Sequence, residues 1–505
     1  MITSHTLSIP YLPAPAEAFS QGSGGMDTLL LESADIHEKT GIQSLAILRS
    51  ALRLTCLGEE VTVTPLTPFG ETVAAGLAER LAEYRVDAFT FRFPRATATD
   101  ERERLIEPSS IAVIRAALEV SGGPDGASGA APFPFIGGGF AFDYLATFED
   151  LPPVEPGSDT FPDYYFLLAE VLLTVDHVNQ TAALHGFEWA TLGEYADALA
   201  EVGGDVSRET AGPTGSGLDE VTASLSDDEF RAAVMDLQQH IYNGDIYQVV
   251  PSRTFTLPCP DAFAAYRELR ELNPSPYMFY LHGTADGEFE LFGASPESNL
   301  KFDPQNRHIE LYPIAGTRPR GETTALDTRN ELELRTDAKE IAEHTMLVDL
   351  ARNDLARVAA PGTRQVDRLM QVDRYSAVMH LVSQVSADLA EGLDGLDAFR
   401  ACMTMGTLTG APKLKAAELI RSVEKRRRGS YGGAVGYVTA AGELDTCIVI
   451  RSAFAQRGLA HVAAGAGVVR DSDPQAEADE TRHKARATLA AIARAAAAQK
   501  EVSHV

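Results

Sequence analysis

Cysteine is scarce in this chain, and what there is lies scattered. Cys56, Cys259, Cys402 and Cys447 include no CxxC pair, which excludes a disulfide frame and a zinc-thiolate site and fits a reducing cytoplasm. Positive charge is short as well: 43 Lys and Arg against 72 Asp and Glu leave a formal net charge of −29 on 505 residues. Such a surface repels nucleic acid and anionic membrane, so neither is an expected partner. No uncharged apolar run reaches the ~18–20 residues of a membrane span, and the N-terminus lacks a basic-then-apolar secretion signal. No internal repeat and no strand, Gly-rich turn and helix signature for a dinucleotide is present. These absences leave a soluble cytoplasmic protein, long enough for two or three packed domains or one large fold. An anionic substrate would then need a local basic pocket, which makes the few well-placed cations informative.

What is present divides the chain. Residues 1–202 mix short apolar runs with turn residues and read as an α+β region. Within it, residues 121–132 form a Gly-rich surface loop. The aromatic and Gly-rich stretch Phe133–Tyr144 reads as a buried strand pair or a tight approach of backbones. Residues 203–220 are a linker by composition, and a second unit occupies 221–505. It opens with a capping box at Ser226–Glu229, ahead of a helix whose apolar face is Phe230, Val234, Leu237 and Ile241. Strand patterns follow at 246–257, 273–281, 288–300 and 308–321, while Ser376–Asp388 fits a helix or a strand. Gly432–Thr439, Leu444–Phe454 and Leu459–Val469 form an antiparallel meander, and an Ala-rich helix runs from Pro474 to Gln499. The expected class is α+β, with antiparallel sheets flanked by helices.

The most informative stretch is Arg335–Asp354, a helix without Pro or Gly. Glu340 and Glu343 lie three apart on one face of it. Glu477 and Glu480 repeat the spacing on the last helix, where Asp473 caps, Pro474 takes the first position and Lys484 follows on the same face. Two such pairs suit a hard divalent cation with oxygen ligands, such as magnesium; they also suit a solvated acidic surface. His380 alone reads as a hydrogen-bonded core histidine, and Glu297 as a carboxylate in a Ser-Pro-Glu turn. Arg451 lies in CIVIRSA, either facing solvent or buried beside an anionic partner. Leu408–Lys415 is a Gly-Pro turn into a helix, whose backbone N–H groups either bind an anion or merely start the helix. The basic run Lys425–Arg428 reads as a solvated helix end.

Long motifs in order carry a family resemblance: NPSPYMFYL, FGASPES, PIAGTRPRG, EIAEHTMLVDLARND, GTLTGAPK, RGSYGGAVGY, DTCIVIRSA and GAGVVRDSDPQAEADET. From about Ser226 to Ala493 the chain resembles the chorismate-utilising enzymes, most closely the large subunits of anthranilate synthases. The match extends N-terminally through Leu30–Ser33 and Phe133–Tyr144. The resemblance implies that 221–505 is the catalytic domain and that Glu340, Glu343, Glu477 and Glu480 surround Mg2+. It implies that Arg451, Tyr431, Thr317, Lys484 and the backbone at Gly316 and Gly465, Ala466 and Gly467 hold chorismate, with Thr407 beside the ring. Glu297 would protonate the departing C4 hydroxyl and His380 would assist the later proton removal. Relatives that add water carry a lysine where this chain has Gln248, and aminodeoxychorismate synthases commonly carry one where it has Ala315. Ammonia needs no base, so this pair points to amination at C2 and pyruvate loss, the committed step of tryptophan synthesis.

Glu32, Ser33, Asn273, Pro276, Tyr277, Met278 and Cys447 match the family's site for L-tryptophan as feedback inhibitor, although PYMFY by itself reads as a core strand. Ammonia from glutamine would require a separate amidotransferase subunit, in a heterotetramer. The alternatives are aminodeoxychorismate, isochorismate or salicylate synthesis, a catalytically dead tryptophan-binding module, and an unrelated magnesium hydrolase.

Overall fold

The computed structural model describes residues 3–23, 25–34, 41–122, 132–201, 220–374 and 378–502. All but the last residue of the 203–220 linker and most of the 121–132 loop fall outside these residues. Among the described residues, 21 strands join in one antiparallel network and two more form a small separate sheet. Strands from the first 200 residues pair directly with strands from the second half. Thr28–Ala34 runs beside Tyr277–Ala285, with Glu32 opposite Met278, and Phe135–Phe140 runs beside Ala434–Thr439, with Gly139 opposite Val435. The fold is α+β, as its sequence patterns indicate, and no helix among the described residues is long and apolar enough to cross a membrane.

Alternation along these strands separates two interiors. Leu29, Phe279, Leu291, Val435 and Cys447 point into a layer packed between sheet faces. Leu30, Met278 and Tyr280 point the other way, onto Phe19, Tyr266 and the long C-terminal helix Pro474–Val502. Glycine makes the close approach at Phe135–Phe140 workable: a Cβ on Gly138 would lie 2.0 Å from the Tyr165 carbonyl oxygen.

Local signals set the helices around the site. Ser226 and Glu229 form the expected capping box, and the helix Asp227–Asn243 ends at left-handed Gly244. The 335–354 helix is corrected at its start. A first helix, Thr324–Thr336, stops; Asp337 adopts an extended conformation and its carboxylate accepts from the N–H groups of Lys339 and Glu340, launching Ala338–Ala356. Ser376–Asp388 resolves as the strand Val378–Asp388. The 444–454 segment is two strands, Leu444–Ile448 and Ser452–Gln456, because Arg451 takes φ +51° between them.

The basic run at 425–428 is a solvated helix end only in its first half: Lys425 caps the helix Lys413–Glu424 and is exposed with Arg426, whereas Arg427 and Arg428 turn inward. Arg428 is buried (7% exposed), forms an ion pair with Glu424 at 2.6 Å and lies over the Phe142 ring, while Arg427 pairs with Asp163 at 2.7 Å. In a chain rich in carboxylates, these cations neutralise acids that burial would otherwise leave unpaired.

Gly138→Val should lower the urea midpoint, with an overpacking cost of about 3 kcal/mol. Gly193→Ala, in the helix Trp189–Ala200 with nothing within 4 Å of its Cβ, should raise it, with a gain in stability of about 0.5–1 kcal/mol. Equal midpoints for the two variants would refute this packing.

Candidate functional site

A cavity of ≈ 570 Å³ opens between the 21-strand network, the helix Ala338–Ala356 and the first turns of Pro474–Val502. Helical spacing delivers the acids. Glu340 and Glu343 reach it from one helix, Glu477 and Glu480 from the other. Their electrostatics differ. Glu340 pairs with Arg318 at 2.8 Å and Glu480 with Lys484 at 2.7 Å. Glu343 has no ion pair among the described residues; Gln248 Nε2 donates to it at 3.3 Å, and burial followed by the charge of Glu340 pushes its pKa up to about 7. Burial also raises Glu477. No three carboxylate, imidazole or thiol groups among the described residues converge into a ready-made metal cage.

Facing the acids are two cations. Left-handed Arg451 sits at the strand break with its guanidinium donating to the Lys484 carbonyl at 2.7 Å, and it forms no ion pair among the described residues. Burial lowers its pKa, so an anionic ligand would be welcome there. Lys484 donates to the Gly465 carbonyl at 3.0 Å. Glycines leave room beside them. A Cβ on Gly465 would lie 3.0 Å from the Tyr431 hydroxyl, and one on Gly467 2.9 Å from Gln248 Nε2.

Glu297 hangs from the turn between strands Gly287–Ser295 and Ser298–Asp303, 5% exposed, with Oε1 unpartnered. Burial pushes its pKa up to about 8, against the opposing pull of Thr407, Lys484 and Arg451. It therefore carries a proton at neutral pH. His380 Nδ1 lies 2.9 Å from Thr317 Oγ1 and 3.3 Å from the Gly316 carbonyl. Burial first, then Arg451 and Lys484, depress its pKa to about 4, so the imidazole is neutral. A protonated carboxyl and a neutral imidazole in one cavity can donate one proton and take up another.

Of the cavity residues singled out in the sequence, Ala466, expected to contribute its backbone, turns its side chain into the core with Val468. Gln248, Glu297, Gly316, Thr317, Glu340, Glu343, His380, Thr407, Tyr431, Arg451, Gly465, Gly467, Glu477, Glu480 and Lys484 line the cavity. The helix start at Lys413 does not line it, since Lys413 pairs with Asp354 at 2.6 Å. The sequence reading passed over Lys339, exposed at the cavity beside the glutamates, and Arg318, which neutralises Glu340. Both stand next to assigned motif residues in a chain short of cations, and that was the available signal.

Five of the seven residues of the expected effector site, Glu32, Ser33, Tyr277, Met278 and Cys447, line a second, small cavity of ≈ 90 Å³ with Asp445 and Tyr437. The Glu32 carboxylate lies on the opposite face of its strand, paired with Arg270 at 2.9 Å and accepting the Tyr266 hydroxyl at 2.5 Å. Met278 sits opposite it on that same face. Asn273 caps the helix Ala262–Leu272, and neither it nor Pro276 lines the cavity.

The model of the chorismate binding enzyme family matches residues 75–490. The chain is 48% identical to anthranilate synthase component 1 of Vibrio cholerae, covering 96% of this chain and 95% of that one. It is also 48% identical to the Escherichia coli protein of that name, covering 97% and 96%. The crystal structure of anthranilate synthase component I from Streptococcus pneumoniae superposes with a TM-score of 0.67 at 26% identity, covering 89% of this chain and 92% of that one.

Carbon-13 NMR of glutamate-labelled protein, assigned with Glu297→Gln, should show Glu297 titrating near pH 8. Arg451→Met removes a nearby positive charge and should move that titration higher. A resonance titrating at the ordinary carboxylate pH would contradict the burial argument.

Proposed function

The chain belongs to the chorismate binding enzyme family, and from that premise we propose that it converts chorismate and ammonia to anthranilate, pyruvate and water. The observation that carries this choice is Gln248. Its neutral amide occupies the cavity wall, 2% exposed, with Nε2 on Glu343 and Oε1 buried without a partner. Such an acceptor suits an N–H of ammonia, whereas water would need a base there. Ala315, also in the wall, offers no amine to attack the substrate ring.

The remaining roles follow from charge and protonation. Arg451, lacking a carboxylate partner, and Lys484 suit the substrate's carboxylate on the enolpyruvyl side chain, beside Tyr431. Glu297, protonated at neutral pH, gives its proton to the C4 oxygen as that group leaves as water. Ammonia forms the bond to C2 while the ring double bonds shift. Neutral His380 then takes the C2 proton, the ring becomes aromatic, and the enolpyruvyl group departs with a proton as pyruvate.

Four glutamates against Lys339, Lys484 and Arg318 leave the acidic wall one positive charge short, which fits a divalent cation. Glu340, Glu343, Glu477 and Glu480 would hold magnesium; a cation that keeps several waters and takes a substrate carboxylate needs no closed protein cage. When bound, it supplies positive charge against the substrate's ring carboxylate.

The ammonia would come from a glutamine-hydrolysing second component in the same assembly. The small cavity at Ser33, Tyr277 and Cys447 is the proposed place for tryptophan as inhibitor. At ≈ 90 Å³ it is smaller than an indole amino acid requires, so binding would move its walls. That movement is what could make tryptophan favour one state of the enzyme over another.

Purified chain given chorismate, magnesium and ammonium should release anthranilate and pyruvate in equal amounts, with none after chelation. Isochorismate as the product would overturn the role of Gln248. At fixed free ammonia, kcat/KM should fall as pH rises through about 8, where Glu297 loses its proton. A profile level to pH 9.5 would remove Glu297 as the acid. Ser33→Leu should weaken tryptophan inhibition at least about tenfold; unchanged inhibition would move the effector elsewhere.

A further inference from the structure

His344 follows Glu343 on the helix Ala338–Ala356 but turns away from the cavity and is fully enclosed, 0% exposed. A buried imidazole must satisfy both nitrogens or lose their hydration without return. Nδ1 lies 3.3 Å from the Ala315 carbonyl oxygen, and Nε2 lies 2.7 Å from Ser383 Oγ. Ser383, equally enclosed, accepts the Met370 N–H at 2.9 Å.

The direction of each bond is determined. A carbonyl only accepts, so Nδ1 carries the hydrogen. Ser383 Oγ accepts the Met370 N–H, and its own hydroxyl hydrogen points to Nε2 at 2.7 Å, which accepts it. Each donor thus has one acceptor, and the chain ties the strands Gln365–Arg374 and Val378–Asp388 and the helix to the strand Ile314–Pro319.

The far end of this chain matters for the site. The register with the facing strand shifts between Ala315 and Thr317, and Gly316 within that bulge takes φ +81°. A Cβ there would lie 3.2 Å from Glu340 Oε2. The Gly316 carbonyl and the Thr317 hydroxyl are the groups against which His380 rests. A bulged residue has no regular ladder partner to hold it, so an outside contact must fix its orientation.

We propose that His344 is a positioning residue, whose Nδ1–H pins the Ala315 carbonyl and so sets the bulge that orients Gly316 and His380 toward the substrate. The inference rests on the reaction proposed above. Two amide substitutions separate the ends of the bridge. His344→Asn places its amide nitrogen near Nδ1 and keeps the bond to Ala315, whereas His344→Gln reaches the Ser383 end and loses it.

With ammonium as nitrogen donor, the Asn variant should hold kcat within about threefold of the parent, and the Gln variant should lose about 30-fold in kcat with a smaller change in KM. Equal losses, a larger loss in the Asn variant, or a Gln variant as active as the parent would each overturn the proposal. If thermal melting shows that neither variant folds, Ser383→Ala decides the matter. It leaves the Ala315 bond intact and should keep kcat within about threefold, and a 30-fold loss would overturn the proposal. Absence of turnover by the parent chain would instead refute the reaction itself.

Discussion

Desolvated carboxylates, and the supply of cations to meet them, govern this molecule. Throughout most of the interior the two are matched. Asp143 has Arg421 at 2.9 Å, Asp163 has Arg427 at 2.7 Å, Glu424 has Arg428 at 2.6 Å and Asp354 has Lys413 at 2.6 Å. The ≈ 570 Å³ cavity is where matching stops. Glu297 and Glu343 lie there without an ion pair among the described residues, and both are pushed toward the neutral form, while Arg451 is a cation without a carboxylate. Unbalanced charge on both walls is costly in an empty cavity and favourable around a dianion with a metal ion. The chemistry is located by that imbalance more than by shape.

Much of the fold was legible because its signals are local. Ser226 and Glu229 announce a helix, Gly244 stops it, and Glu340 with Glu343 share a face because three residues make nearly one helical turn. What was not legible depended on distant partners. Arg451 in an apolar run fits an unbroken strand, and only the cavity explains why it turns left-handed and divides Leu444–Ile448 from Ser452–Gln456. The burial of Arg427 was not legible at 425–428 because its acid, Asp163, comes from far away in the sequence.

Strand parity decides how each residue of a motif takes part. Neighbours on a strand point their side chains to opposite sides. Glu32, Ser33, Tyr277 and Met278 all border the small cavity, but the Glu32 carboxylate is turned to Arg270 and Met278 packs into the core against the helices. Gly465, Ala466 and Gly467 follow the same alternation, with the glycines at the main cavity and alanine in the core. A motif gives which residues belong together, whereas the period of the element decides which of them meet.

That alternation also connects the two cavities. Cys447, in the wall of the small one, pairs with Ser298, and the next residue back is Glu297. Ile448 donates its N–H to the Glu297 carbonyl at 3.1 Å, and Tyr277, whose hydroxyl donates to Asp445 at 3.1 Å, lies opposite Ser295, which bonds the Glu297 N–H at 3.3 Å. Glu297 thus hangs from a turn whose two strands, Gly287–Ser295 and Ser298–Asp303, pair with the strands Tyr277–Ala285 and Leu444–Ile448 that wall the small cavity. Packed strands do not compress, so a ligand that widens ≈ 90 Å³ enough to enter must displace part of this wall. Displacement of Leu444–Ile448 or Tyr277–Ala285 would carry the backbone of Glu297 with it. A shift of about 1 Å in a proton donor is enough to cost a large factor in rate. Coupling of this kind would need no long path across the protein, because the strands on either side of Glu297 are hydrogen-bonded directly to strands that wall the small cavity.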